Sequence, residues 1–233
     1  MLNEFSRQEI LIGKERMQLI KNAKVAVIGI GGVGGYVVER LIRAGIQNIV
    51  LVDPDKISLT NINRQIHANH ATIGRSKVKV MEERILFINK NVKVKTYETF
   101  ITKDNIKEVI DDDVDYIVDA IDTVKSKIEL IKYAKYKNIK IISSMGTGNK
   151  LNPTMLKVAD ISKTKMCPLA KVIRKELKKQ KIDKLKVVYS EEEPRKILFK
   201  EEEDVKAGSV SFVPSVAGMI IASEVIKDII DFD

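Results

Sequence analysis

One cysteine, Cys167, stands among 233 residues, so no internal disulfide can form and no four-cysteine set exists to hold a structural zinc. Secreted disulfide scaffolds and zinc ribbons are excluded. Proline is scarce, with 5 residues against 12 glycines, while 44% of the chain is hydrophobic. Collagen-like, low-complexity and wholly disordered chains do not have that composition, which suffices for one domain with a sizeable core. Long apolar runs are missing too: none approaches membrane-spanning length, and Met1 to Lys14 is polar and charged rather than a basic patch followed by an apolar stretch. The expectation is a soluble, cytoplasmic protein without a membrane partner.

Positive charge is what the chain has in excess, with 41 Lys and Arg against 32 Asp and Glu, a formal +9. The surplus is local. From Lys163 to Lys186 ten basic residues, among them Lys171, Arg174, Lys175, Lys178 and Lys179, face only Glu176 and Asp183. Leu169, Ile173 and Leu177 recur there at i, i+4 and i+8, which predicts an amphipathic helix with a basic outer face. Two readings stay open for that face: a solvated lysine-rich surface, or a docking surface for a polyanion such as RNA.

Lys24 to Ile28 is a β-branched run that ends in Gly29-Ile30-Gly31-Gly32-Val33-Gly34. Apolar residues at helical spacing from Tyr36 to Ala44, a closing Gly45 and the apolar Asn48 to Val52 complete a βαβ unit. After a polar loop, Thr60 to Ala71, the order continues as helix Lys77 to Ile88, strand Val92 to Thr96, short helix Asn105 to Ile110, strand Tyr116 to Ala120, helix Ser126 to Lys137 and strand Lys140 to Ser144. This alternation predicts an α/β fold, a Rossmann-like doubly wound and mostly parallel sheet. Beyond Gly148 the alternation weakens: strands are expected at Met155 to Asp160 and Val187 to Ser190 around the basic helix, then a charged loop from Glu191 to Lys206 and an apolar helix within Val210 to Ile230. The expected organisation is one domain, 1–233, with a leading segment 1–23, a nucleotide-binding core 24–148 and a C-terminal subdomain 149–233.

Gly29, Gly31 and Gly34 match G-x-G-x-x-G between a strand and a helix, where glycines let the backbone approach phosphates at a helix N-terminus. The plainer alternative is that they only permit tight helix-to-strand packing. Asp53 ends the second strand, where a carboxylate can take ribose hydroxyls. Positive and polar groups for a triphosphate follow in Asn61, Arg64, Gln65 and Lys77. Asp119 and Asp122 lie at the end of the strand from Tyr116, so either can hold Mg²⁺ or cap the next helix.

Gly29-x-Gly31-Gly32-x-Gly34, Asp53-x-Asp55, Ser58-Leu59-Thr60-Asn61-x-x-Arg64-Gln65, Gly74-x-x-Lys77 and Asp119-x-x-Asp122 occur in order. With them, nearly the whole chain resembles the ubiquitin-activating and ThiF/MoeB/HesA-type adenylyltransferases. The resemblance implies that Asp53 binds ribose, that Asn61, Arg64 and Lys77 bind the phosphates of ATP, and that Asp122 holds magnesium. Phe5-Ser6-Arg7-Gln8 looks like the family's arginine-finger segment, in which Arg7 reaches a partner subunit's ATP, implying a homodimer.

Asn63-Arg64-Gln65-Ile66-His67-Ala68, Asn152-Pro153-Thr154 and Asp160-Ile161-Ser162-Lys163-Thr164 with Pro168-Leu169-Ala170 are similar to the tRNA threonylcarbamoyladenosine dehydratase branch. The paired CxxC motif usual in sulfur-carrier activators is absent. This branch implies adenylation of a threonyl carboxylate on modified tRNA, followed by ring closure, and leaves room for a sulfurtransferase-like accessory protein. The alternative acceptor is the C-terminal glycine of a ubiquitin-like sulfur carrier; a non-catalytic nucleotide- or RNA-binding module is the third reading. Cys167 stands where the family usually has Asp, which favours an incidental thiol over a thioester or persulfide route, and His67 is expected in a loop near substrate.

Overall fold

The computed structural model describes residues 2–199 and 207–232. Seven strands form one sheet: β1 (Lys24–Ile28), β2 (Asn48–Val52), β3 (Lys93–Tyr97), β4 (Tyr116–Asp119), β5 (Lys140–Ser144), β6 (Leu156–Asp160) and β7 (Lys186–Ser190). Their order is β3-β2-β1-β4-β5-β7-β6, parallel throughout except that β6 runs antiparallel to β7. The expected doubly wound, mostly parallel α/β fold is the observed one. Strand order reverses between β1 and β4, and the crevice above that point is where open sheets of this kind take ligands.

The inner strands read as continuous apolar runs because both faces are covered. Along β1, Val25 and Val27 join the core on one face, while Ala26 and Ile28 join the core on the other. Side chains alternate across a strand, so each run feeds two cores in turn. The first face carries α2 (Lys14–Asn22), α3 (Gly34–Ala44), α4 (Lys77–Ile88) and α8 (Phe212–Ile229); the second carries α5 (Ile106–Val109), α6 (Val124–Tyr136) and α7 (Pro168–Lys179).

Most expected elements recur within one or two residues, and α4 keeps its expected bounds. The C-terminal strands β6 and β7 extend the same sheet rather than starting a second one. The basic segment contracts to α7, begun by Pro168, whose missing N–H costs nothing in a first helical turn. It buries Ala170, Ile173 and Leu177, while Leu169 is half-buried. Two N-terminal helices, α1 (Ser6–Ile12) and α2, were not expected; α1 buries none of its residues and α2 only Met17 and Ile20, so neither has a strong periodic stripe. Of the expected charged loop, residues 191–199 have no regular structure and 200–206 lie outside the described residues.

The helices α3 and α8 touch backbone to backbone. A Cβ built on Gly218 of α8 would stand 2.5 Å from the Val33 carbonyl oxygen and 2.9 Å from Tyr36 Cβ. Gly218→Ala is therefore expected to cost about 1–3 kcal/mol, as overpacking does, in a denaturant titration; an unchanged midpoint would show that α8 slides freely on α3.

Candidate active site

At the end of β1 the chain turns through Gly29, at φ +90°, and enters α3. A Cβ on Gly34 would lie 1.8 Å from the Gly29 carbonyl oxygen, so this glycine serves close packing, and it does not line the cleft beside it. Gly31 is the open one: its nearest neighbour to a built Cβ is Gln65 Nε2 at 3.9 Å. No side chain caps α3. The N–H groups of Gly31, Gly32 and Val33 have no hydrogen-bond partner among the described residues. Unpartnered amides at the positive end of an eleven-residue helix form an anion cradle.

These groups line a cleft of about 350 Å³ that also takes in Asp53, Asp55, Asn61, Arg64, Gln65, Lys77 and Asp122. Gly29 and Gly32 line it as well; of the expected chemistry-bearing residues of the core, Gly34, His67 and Asp119 stand back from it. Asp53 ties the cleft together: its Oδ2 accepts the Ile30 N–H at 2.6 Å and its Oδ1 the Asp55 N–H at 2.9 Å. Burial pushes its carboxyl above the ordinary value, against the opposing pull of Lys77 and those two N–H groups. Its first role here is thus to fix the glycine turn, with lone pairs left over for a hydroxyl.

Lys77 opens α4 and is almost wholly buried, yet its Nζ reaches Asp55 Oδ2 at 2.6 Å and Asp53 Oδ1 at 3.6 Å. Arg64 is steered by its own loop, with Nη1 donating to Thr60 O at 2.8 Å and Asn63 Oδ1 at 2.9 Å. Asn63 Nδ2 in turn donates to Ser209 O, so the arginine loop is joined to the segment that enters α8. Asn61 Oδ1 accepts the Ser58 N–H and closes a capping box on the turn Leu59–Asn61. Gln65 is buried at the cleft with Oε1 lacking any partner. A buried acceptor without a donor is costly, so Gln65 is poised for a donor on an occupant.

The two aspartates after β4 separate clearly. Asp119 is fully buried and bound to Lys127, whereas Asp122 is exposed on the cleft wall. Lys127 was not expected, although its spacing from Leu130, Ile131 and Ala134 places it on the inward stripe of α6. Thr99, Phe100, Thr147, Ser209 and Pro214 also line the cleft without any sequence signal, because only the fold brings these segments together.

Two expectations change, those for His67 and Arg174. His67 is not near the cleft opening but buried under the first turn of α3, where a Cβ on Gly35 would meet its Nδ1 at 3.2 Å. Arg174 does not share the outer face of Lys171, Lys175, Lys178 and Lys179, all exposed; it is half-buried and donates to Thr164 Oγ1 at 2.6 Å, bracing the turn before α7. Cys167 is buried at the N-cap of α7, away from the cleft. Arg7 is exposed on α1, whose Gln8 donates to Ala44 O at the far end of α3. That is about 16 Å along the helix from the anion cradle, so Arg7 does not serve the cleft of its own chain.

The family model described as the ThiF family matches residues 5–233. The chain belongs to the ThiF family. Over 99% of its length it is 42% identical to the tRNA threonylcarbamoyladenosine dehydratase of Bacillus subtilis, covering 96% of that protein. It is 40% identical to the enzyme of the same name from Escherichia coli over 72% of this chain and 63% of that protein. Its fold superposes on the E. coli enzyme TcdA solved in complex with ATP with a TM-score of 0.90 at 33% identity, covering 98% of this chain and 94% of that one. In this chain the motif residues named from the sequence gather in one cleft at the strand-order reversal. No helix of the described residues is long and apolar enough to cross a membrane.

His67 makes the fold acid-sensitive. Burial, with Lys77 and Arg84 nearby, pulls its pKa from 6.5 to about 4, so the unfolded chain binds the extra proton between those values and stability falls as pH drops through that window. About 2 kcal/mol should be lost between pH 7 and 5 from this group. In urea titrations at the two pH values, His67→Gln should flatten the difference; an equal loss in both proteins would locate the sensitivity elsewhere.

Proposed function

We propose that this chain performs ATP-dependent dehydration of threonylcarbamoyladenosine in tRNA, releasing AMP and pyrophosphate. The observation that carries the reading is the cleft at the strand-order reversal, where unpartnered amides of Gly31 to Val33, Arg64 and Lys77 face one another across room for a nucleotide. The dehydratase name of the relative that matches along nearly the whole chain supports the acceptor.

In this reading a threonyl carboxylate oxygen attacks the α-phosphorus of ATP, and the bond to pyrophosphate breaks. The acyl adenylate so formed is attacked by the ureido group of the same modified base. A new bond to the carbonyl carbon closes the ring, AMP departs with the former carboxylate oxygen, and a proton is released, so the sum is loss of water. No enzyme nucleophile is needed, in keeping with a buried Cys167. The chain contributes position and charge. The amide cradle with Gly29, Gly31 and Gly32 holds phosphates, Asn61 and Gln65 offer polar contacts, Asp53 and Asp55 face ribose, and Arg64 and Lys77 neutralise charge as pyrophosphate leaves.

Magnesium suits the same wall. Among the described residues no cluster of three or more His, Cys, Asp or Glu could cage a metal, but Mg²⁺ commonly takes one or two carboxylates and completes its shell with phosphates and water. Asp122 is the exposed carboxylate placed for that; when bound, the ion would offset phosphate charge. Arg7, remote from its own cleft, fits a homodimer in which it reaches the partner subunit's phosphates. Lys171, Lys175, Lys178 and Lys179 present a basic outer face on α7 suited to tRNA phosphates.

Incubation of threonylcarbamoyl-modified tRNA with the protein, Mg²⁺ and ATP should give the dehydrated nucleoside by mass spectrometry with matching AMP. AMP release only with a small protein ending in Gly-Gly would assign the sulfur-carrier acceptor instead. Arg64→Ala and Lys77→Ala should each lower the rate of AMP formation by at least about 100-fold; near-normal turnover would remove them from the site. Lys178→Glu with Lys179→Glu should weaken tRNA binding and flatten its dependence on salt, by about one unit of log–log slope for each phosphate no longer neutralised. An unchanged slope would make α7 a solvated surface.

A further inference from the structure

We propose that the buried Lys127–Asp119 pair is a positioning device that sets the loop of Asp122 and the end of β5 for Mg·ATP. The inference rests on the adenylating function proposed above. Both side chains are 0% exposed. Taking two charges out of water costs several kcal/mol per ion, and apolar replacements of similar volume often fold as well or better. Stability alone therefore does not account for a lysine at this place.

Its connections do. Lys127 Nζ donates to Asp119 Oδ2 at 2.8 Å, Ser143 Oγ at 3.0 Å and Ser144 O at 3.0 Å. An ammonium has three donors, and all are used. Ser143 Oγ also donates to Asp119 Oδ2 at 2.5 Å, and Asp119 Oδ1 accepts the Ile121 N–H at 3.2 Å. One cation thus joins the ends of β4 and β5 to the first turn of α6. The peptide that Asp119 holds immediately precedes Asp122, and the strand end that Lys127 holds runs on to Thr147. Ile121, Asp122 and Thr147 all line the cleft.

The arrangement also explains why two aspartates three residues apart are not equivalent. Asp119 could approach a metal only by abandoning Lys127 in a site closed to solvent, whereas Asp122 is exposed on the wall. Asp119 and Lys127 act through the loop they hold, and neither lines the cleft.

The test is Asp119→Leu combined with Lys127→Met, which removes both charges at similar volume. The double variant should melt at or above the parent temperature, exchange the Ile121 amide with deuterium faster, and bind Mg·ATP about 10–100-fold more weakly by calorimetry without tRNA. Binding of ATP in EDTA should not change. A folded double variant that binds Mg·ATP as the parent does overturns the proposal. If the double variant does not fold, Ser143→Ala, which removes one acceptor from Lys127 and keeps both charges, carries the test: magnesium-dependent weakening supports the device, and an unchanged Mg·ATP affinity overturns it. A parent chain that binds no Mg·ATP would instead overturn the adenylating function itself.

Discussion

The cleft depends on one backbone contact, that of Gly34 against the carbonyl of Gly29. With a Cβ on Gly34 only 1.8 Å from that oxygen, any other residue would push α3 off the end of β1. Gly29 is as tightly held on its other side, where a Cβ would meet the Ala120 oxygen at 2.6 Å. Helix α3, strand β1 and the turn after β4 therefore converge within backbone contact distance, and everything above them must diverge. That divergence is the crevice. The same contact aims the first amides of α3 upward and lets Asp53 reach the Ile30 N–H, so packing and ligand chemistry follow from the same glycines.

Much of this was legible in the sequence because the inner strands are buried on both faces. A run such as Lys24–Ile28 has few ways to be satisfied other than in the middle of a covered sheet, and glycines at its end announce the turn. Many residues of the cleft were legible for a related reason: Gly29, Asp53, Lys77 and Asp122 sit near strand ends or helix starts that the alternation fixes, whereas Asn61, Arg64 and Gln65 lie in the loop between β2 and α4 and were read from their motif. What was not legible belongs to three classes. Phe100, Ser209 and Pro214 reach the cleft only through tertiary return of distant segments. Helix α1 lies on the surface with nothing buried, so it leaves no periodic trace. His67 and Arg174 carry polar side chains that look solvent-facing in one dimension, but Gly35 leaves a slot for the imidazole and Thr164 supplies acceptors for the guanidinium. Lys127 differs from these, because the spacing Lys127, Leu130, Ile131, Ala134 states an inward direction that residue type alone conceals.

Buried charge in this fold is held in pairs and clamps, some structural and some at the cleft. Glu39 of α3 is clamped by Arg43 and Arg84, and its carboxyl is held below the ordinary value by them, which locks α3 to α4. Lys77 is paired with two carboxylates at the cleft, in a desolvated place where a cation acts strongly on an anion. A fully exposed lysine would be screened by water. The pair with Asp55, itself more than half exposed, holds the ammonium at the cleft wall.

The two faces of the sheet divide the work that the proposed reaction demands. Helices α3 and α4 on the first face hold the groups that meet the nucleotide, and the second face carries α7 with its basic surface. They meet at the end of β5, where a Cβ on Gly146 would touch both Cys167 Sγ and Leu169 Cβ at 3.8 Å, one residue before Thr147 on the cleft wall. In the proposed reading, an RNA held along α7 would reach the cleft past the start of that helix. Phosphate contacts position such a ligand without choosing its sequence. Thr147 and Ser209 stand on the cleft wall, and Ser209 is joined through Asn63 to Arg64. A single amide side chain thus ties the segment that enters α8 to the arginine loop at the cleft, while Arg7 stands on α1, whose contact with α3 is at the far end of that helix.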